Sequence, residues 1–235
     1  MPKPDMDEII SDILNHPAPV IFLDTCIILD IIRALYREKI DIKIVASAKE
    51  LIIRSQAEPA GIWLLISEIV ETEWNNNINS VVKELRSEIK KLRKNLFRLE
   101  RILENLFSGT PIPYPDIANY ALDVSLRNIS EKLLKSSISF SNDMGCFAKS
   151  SLRVIRNEAP ASKGKSEAKD CMIIEHYLKI SRCLHENGFK EKRIFITSNK
   201  KDYGKPSDIR QPLKDEFENV GLAYVDNLAW AVSMI

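Results

Sequence analysis

Four acidic residues stand where a repeated strand-then-helix pattern would gather carboxylates: Asp24 in Phe22-Leu-Asp-Thr-Cys26, Glu73 in Ser67-Glu-Ile-Val-Glu-Thr-Glu-Trp74, Asp170 at the head of the apolar segment Asp170-Cys-Met-Ile-Ile, and Asp202 in Asn199-Lys-Lys-Asp-Tyr203. Each lies beside a strand end or at the start of the helix that follows. In a parallel sheet such positions converge on one edge, the place where open α/β sheets bind ligands. Carboxylates crowded there demand a counter-ion. With oxygen donors and no His or Cys in the set, the fitting ion is hard, Mg²⁺ or Mn²⁺ rather than zinc. An ion held by Asp24 and Asp170 would lower the pKa of bound water toward neutrality and permit attack on phosphorus, with Glu73 and Asp202 completing the ligand set. Thr25 and Ser198, small hydroxyl residues beside the cluster, are candidates to orient water or phosphate. Turn capping is the plainer role for Ser198.

For Asp24 and Asp170 the ordinary structural alternative is helix N-capping. Glu68 and Glu71 compete with Glu73 for its place. Asp30 lies six residues beyond Asp24 on the same helix, which points it away toward the surface. His176 and His185 read as surface or packing residues. A strand-terminal Asp is also the nucleophile position of some phosphotransfer domains, but these need a second acid two residues later, and Cys26 stands there.

The elements that must position these acids follow from hydrophobic pattern. Val20-Ile-Phe-Leu23 is a continuous apolar run after the breakers Pro17 and Pro19, as in a strand covered on both faces. Ile27, Ile28, Ile31, Ile32 and Leu35 then recur at helical spacing. Further strands are expected over residues 62–66, 193–197 and 223–225, with helices between them, which implies a parallel sheet. From residue 75 to about 160 no strand is expected. Ile78, Val82, Leu85, Ile89, Leu92, Leu96, Leu99, Leu103 and Leu106 form a heptad seam. The segment Ser108-Gly-Thr-Pro-Ile-Pro-Tyr-Pro115 breaks it, and periodicity resumes from Asp116, as in a helical hairpin. Packing of the seam on the returning helix is favoured over dimerisation or another partner for the arm. The whole is read as one domain, residues 1–235, with a helical insertion over 75–160.

The chain has 235 residues, 45% hydrophobic and 29% charged, enough for a substantial core. Its 34 Lys and Arg nearly balance 33 Asp and Glu, so affinity for nucleic acid must come from local basic clusters. Two exist. Residues 83–104 hold eight basic against four acidic residues, and residues 149–169 hold six against two. The second leads into Asp170, making Arg153, Arg156, Lys163 and Lys165 candidate phosphate contacts. Trp74 and Tyr203 adjoin the acids and are candidates for base stacking or for the core. Four scattered cysteines without a C-x-x-C pair point to a reducing compartment. With no apolar run long enough to span a bilayer, the expectation is a cytoplasmic protein.

Taken together, Asp24-Thr25-Cys26 after a strand, Ser67 with Glu73, Lys163-Gly-Lys-Ser-Glu-Ala-Lys-Asp170, and Thr197-Ser-Asn-Lys-Lys-Asp202-Tyr203 resemble the PIN-domain ribonucleases, within them the PIN-like group with a long helical insertion. The resemblance spans essentially the whole chain. It implies a three-layer α/β/α fold with a central parallel sheet and an inserted helical arm. It also implies metal-dependent endonucleolytic cleavage, usually of RNA with single-stranded DNA as an alternative, leaving a 5′ phosphate. The quartet it implies is Asp24, Glu73, Asp170 and a fourth member at Asn199 or Asp202. Many relatives carry Asp where this chain has Asn199, whereas the insertion-bearing ones resemble it in having Asn there and Asp three residues on. Asp202 is therefore taken for the charge and Asn199 as its neutral neighbour facing substrate. The competing reading is a degenerate PIN-like module that binds RNA or serves assembly without cutting.

Overall fold

A computed structural model describes residues 3–107, 117–164 and 167–235. The breaker segment 108–115, Asp116 and Lys165 lie outside the described residues. Helix α1 (Met6–Asn15) opens with a reciprocal capping box, in which Asp5 accepts from the Glu8 amide and Glu8 from the Asp5 amide. It buries Met6, Ile9, Ile10 and Ile13 and stops before the prolines. Strand β1 (Val20–Leu23) follows, with all four residues buried. Then come α2 (Thr25–Arg33), α3 (Ile44–Ser55), β2 (Trp63–Ser67) and α4 (Glu68–Phe107).

A short 3₁₀ turn (Ile117–Tyr120) leads to α5 (Leu122–Lys135), β3 (Ile138–Phe140), α6 (Met144–Arg156) and α7 (Ala168–Glu186). The chain ends with β4 (Arg193–Ile196), α8 (Lys200–Tyr203), a two-residue hairpin of β5 (Gly204–Lys205) and β6 (Asp208–Ile209), then α9 (Leu213–Val220), β7 (Leu222–Val225) and α10 (Leu228–Met234). Gly204 is required where it stands. Its φ is +90°, and a Cβ there would meet the Asp208 carbonyl oxygen at 2.4 Å.

The five long-range strands form one parallel sheet in the order β3-β2-β1-β4-β7. Helices α2, α3, α4, α5 and α10 pack among themselves as one layer, and α1, α6, α7 and α9 as the other. This is the three-layer α/β/α architecture with an inserted helical arm. Strand β1 lies at the centre, and the strand order reverses about it, so the carboxyl ends of β1 and β4 frame the crevice. A buried phenol holds that edge. The Tyr177 hydroxyl donates to the Leu23 carbonyl at 2.7 Å and accepts from the Ser67 amide at 3.3 Å, tying β1 to β2 just before Asp24.

One expectation is overturned by β3, which falls inside the stretch read as wholly helical. Its three residues Ile-Ser-Phe, at the sheet edge with only Phe140 buried, are too few for an alternating pattern to register. The arm also begins earlier than the seam suggested. Helix α4 runs for 40 residues from the end of β2 without a glycine or proline, about 60 Å at 1.5 Å per residue. The seam is buried only near its base, where Ile78, Val82 and Leu85 pack beneath α2 and α5. Helix α5 starts beside Arg86, which pairs with Asp123 at 2.7 Å, so among the described residues the returning helix covers less than half of the seam.

Arg153 illustrates a second correction. It was expected to contact substrate, yet it is 3% exposed. Its guanidinium donates to Glu175 at 2.5 Å, to both oxygens of Glu216 at 2.6 and 2.7 Å, and to the Ala159 carbonyl at 2.9 Å. It cross-links α6, α7 and α9. Truncation strands the buried carboxylate of Glu175, so Arg153→Ala should lower unfolding free energy by about 3–5 kcal/mol in urea titration, with divalent-ion binding intact. A loss below about 1 kcal/mol would show that the pair is not structural.

Candidate active site

Asp24 closes β1 and caps α2 at once. Its Oδ1 accepts from the Thr25 amide at 2.7 Å, and its Oδ2 from the Thr197 hydroxyl at 2.6 Å and the Cys26 thiol at 3.1 Å. Capping and clustering are therefore the same placement rather than alternatives. The Thr25 hydroxyl donates to Glu73 Oε2 at 2.8 Å, which anchors the first turns of α4 to the sheet edge. On the other side, Thr197 Oγ accepts from the Asn199 amide at 3.0 Å, and the Asn199 side chain donates to Asp202 Oδ2 at 2.9 Å. A continuous chain of hydrogen bonds thus runs from Glu73 through Thr25, Asp24, Thr197 and Asn199 to Asp202.

Asp170 lies in the first turn of α7, preceded by Glu167 with a left-handed φ of 35°. The tightest group is Glu167, Asp170 and Asp202, which each offer one oxygen within 4.8 Å of the others. Burial pushes the Asp170 carboxyl up to about 8, helped by the negative charges of Asp24, Glu73, Glu167 and Asp202. Burial likewise raises Asp24, against the pull of its Thr197 and Cys26 hydrogen bonds and with the help of Glu73. The four predicted acids therefore lie within electrostatic reach of one another as one anionic cluster, with Glu167 as a fifth.

Cys26 adds no soft ligand. Burial and the charges of Asp24 and Asp30 raise its thiol well above the ordinary range, so it remains a protonated donor. The donor set is all carboxylate oxygen, which fits a hard divalent cation.

Several expected contacts are placed otherwise. Ser198 donates to Asp30 Oδ2 at 2.6 Å rather than facing the acids, and Asp30, expected at the surface, is 5% exposed. The reason is the bend after β4, which lays Ser198 over the second turn of α2. Trp74 donates to the Ser130 hydroxyl at 2.9 Å, and Tyr203 to the Asp170 carbonyl at 3.3 Å; both rings are core. Glu68 accepts from the Asn142 amide, and Glu71 from Ser139 with Lys3 beside it, which leaves Glu73 facing Thr25. Arg156 lines a separate groove of about 210 Å³ with Lys149, Arg182 and Glu216, away from the five acids. Lys163 is exposed. Lys169, also exposed, reaches Glu73 at 3.4 Å.

Sequence reasoning missed Glu167 and Thr197. An acid three residues before Asp170 was the available signal for the first, and a buried hydroxyl at a strand end for the second.

A family model described as a PIN domain matches residues 21–203. No curated protein and no solved structure matches the chain significantly. The matched span runs from β1 through α8 and contains every acid of the pocket, and on that coverage the chain belongs to the PIN-domain family, whose fold is of the nuclease type.

Proposed function

We propose that this protein is a Mg²⁺- or Mn²⁺-dependent endonuclease that cleaves RNA. The observation that carries this reading is the cluster of five carboxylates, where burial, with the neighbouring negative charges adding to it, pushes Asp170 up to about 8. Such a grouping is unfavourable unless a positive charge joins it.

Glu167, Asp170 and Asp202 are the residues to hold the ion, with Asp24 and Glu73 beside them. A divalent ion bound there supplies charge neutralisation and an acidified water, the requirements for attack on a phosphodiester near neutral pH. The chain's own groups fix the geometry. The Thr25 amide and the Thr197 hydroxyl restrict Asp24 to one rotamer, Asn199 orients Asp202, and Thr25 orients Glu73. Lys169, exposed and 3.4 Å from Glu73, is the basic residue beside the acids that we assign to drawing a phosphate toward them, and exposed Lys163 is the second candidate. RNA is the substrate class that the resemblance to the PIN-domain ribonucleases implies, and single-stranded DNA is the comparison substrate.

Purified protein with labelled RNA should cut with Mn²⁺ or Mg²⁺ and not with chelator. Asp24→Asn and Asp170→Asn should each reduce cleavage by roughly 10²-fold or more. Cutting that survives in both variants would sink the assignment, and RNA retained uncut by wild type would favour the binding-only module.

A second test reads stability. Between the unperturbed 3.8 and about 8, the folded metal-free chain keeps a proton on Asp170 that the unfolded chain has released, so stability falls as pH rises through that window. Asp170→Asn should therefore be more stable than wild type at about pH 8 without metal, by roughly 1–3 kcal/mol, and Mn²⁺ should raise Tm in wild type only. Matching pH profiles for the two proteins in chelator would contradict the raised, buried Asp170 carboxyl.

A further inference from the structure

The upper half of α4 carries an apolar stripe that the described part of the chain does not cover. The hydrophobic core and the side chains packed against it extend along α4 to Ile89. Beyond it, Leu99 is 42% and Leu106 is 66% exposed, while Leu92, Leu96 and Leu103 are half-buried. Beside Leu92, Leu35 and the outward-pointing Ile42 line a hollow of about 390 Å³. Continuous apolar surface of this kind marks an interaction site.

From these features we infer that the stripe is the dimer seam of the protein, paired antiparallel with the same stripe of a second copy. In heptad terms Ile89, Leu96 and Leu103 occupy a, and Leu92, Leu99 and Leu106 occupy d. Antiparallel alignment with Leu96 opposite Leu99 of the second copy also sets Ile89 against Leu106 and Leu92 against Leu103, with each contact repeated by symmetry. The same register places Arg93 opposite Glu100 across the e positions, twice. Among the described residues neither side chain has an ion-pair partner. Lys90, Lys91, Lys94, Arg98 and Arg101 all fall on b, c or f, so no like charges meet across the seam.

Body geometry selects the orientation. Below Ile89 the stripe is already occupied by α2 and α5, so a parallel pair would drive both bodies into the same space. In the antiparallel pair the two bodies lie at opposite ends, and Leu103 and Leu106 of the second copy arrive beside the body at the level of the hollow next to Leu92.

The test is sedimentation equilibrium of the full chain over a concentration series. Wild type should have dimer mass, and Leu96→Asp/Leu99→Asp should be monomeric with an unchanged circular-dichroism spectrum, since both sites lie beyond the core. Arg93→Glu and Glu100→Arg should each weaken dimerisation roughly tenfold, and the double reversal should restore it to within about threefold. A wild-type monomer at every concentration, or a dimer that survives the Leu→Asp pair, would overturn the inference. Rescue of Arg93→Glu by Glu88→Arg in place of Glu100→Arg would also overturn it, because Glu88 faces Arg93 only in a parallel pair. RNA that binds the arm of a monomeric wild type would assign the helix to substrate instead.

Discussion

Mutual repulsion among carboxylates at the carboxyl edge of one parallel sheet is the constraint around which this molecule is built. Charges of one sign gather there only because the sheet topology brings β1 and β4 side by side and aims α7 at the same point. The frame then keeps them from swinging apart into water. Asp24 is gripped by an amide, a hydroxyl and a thiol, and Asp202 by an amide side chain. The Tyr177 phenol fixes the two strands beneath. A side chain free to rotate would relieve the repulsion, and these contacts remove that freedom before any cation arrives, which is what preorganisation means for an ion site.

The division of labour within the site is sharper than its list of acids suggests. Asp24 accepts hydrogen bonds from the protein on both oxygens, whereas the tightest oxygen group is Glu167, Asp170 and Asp202. Asp24 thereby acts as the hub that ties both wings of the pocket together. Thr25 leads from it to α4 and Thr197 leads to α8, so Glu73 and Asp24 are each positioned by a neighbour from another element.

What could be read in the sequence was what depends on short-range pattern. Four apolar residues ending at Asp24 announce a buried strand with a carboxylate at its end, and the heptad from Ile78 announces a long helix. Long-range partners leave no such trace. Arg153 looked like a member of a basic stretch because its partners, Glu175 and Glu216, lie 22 and 63 residues away. Ser198 and Asp30 are 168 residues apart, so nothing local marked their hydrogen bond. Strand β3 is recognisable only through its pairing with β2, and Glu167, marked in the sequence only by its spacing from Asp170, meets Asp202 through a left-handed backbone turn. Binary pattern specifies elements; the pairing of polar groups between elements is decided by the tertiary arrangement.

Glu73 stands in the second turn of α4, and the tip at Phe107 stands about 50 Å further along the same uninterrupted rod. No glycine or proline between them offers a hinge, and the foot of the rod is pinned through Thr25 and Trp74. One rod thus sets both the direction in which the arm projects and the backbone that carries Glu73, so neither can be reoriented without breaking helical hydrogen bonds or the buried contact with α2 and α5.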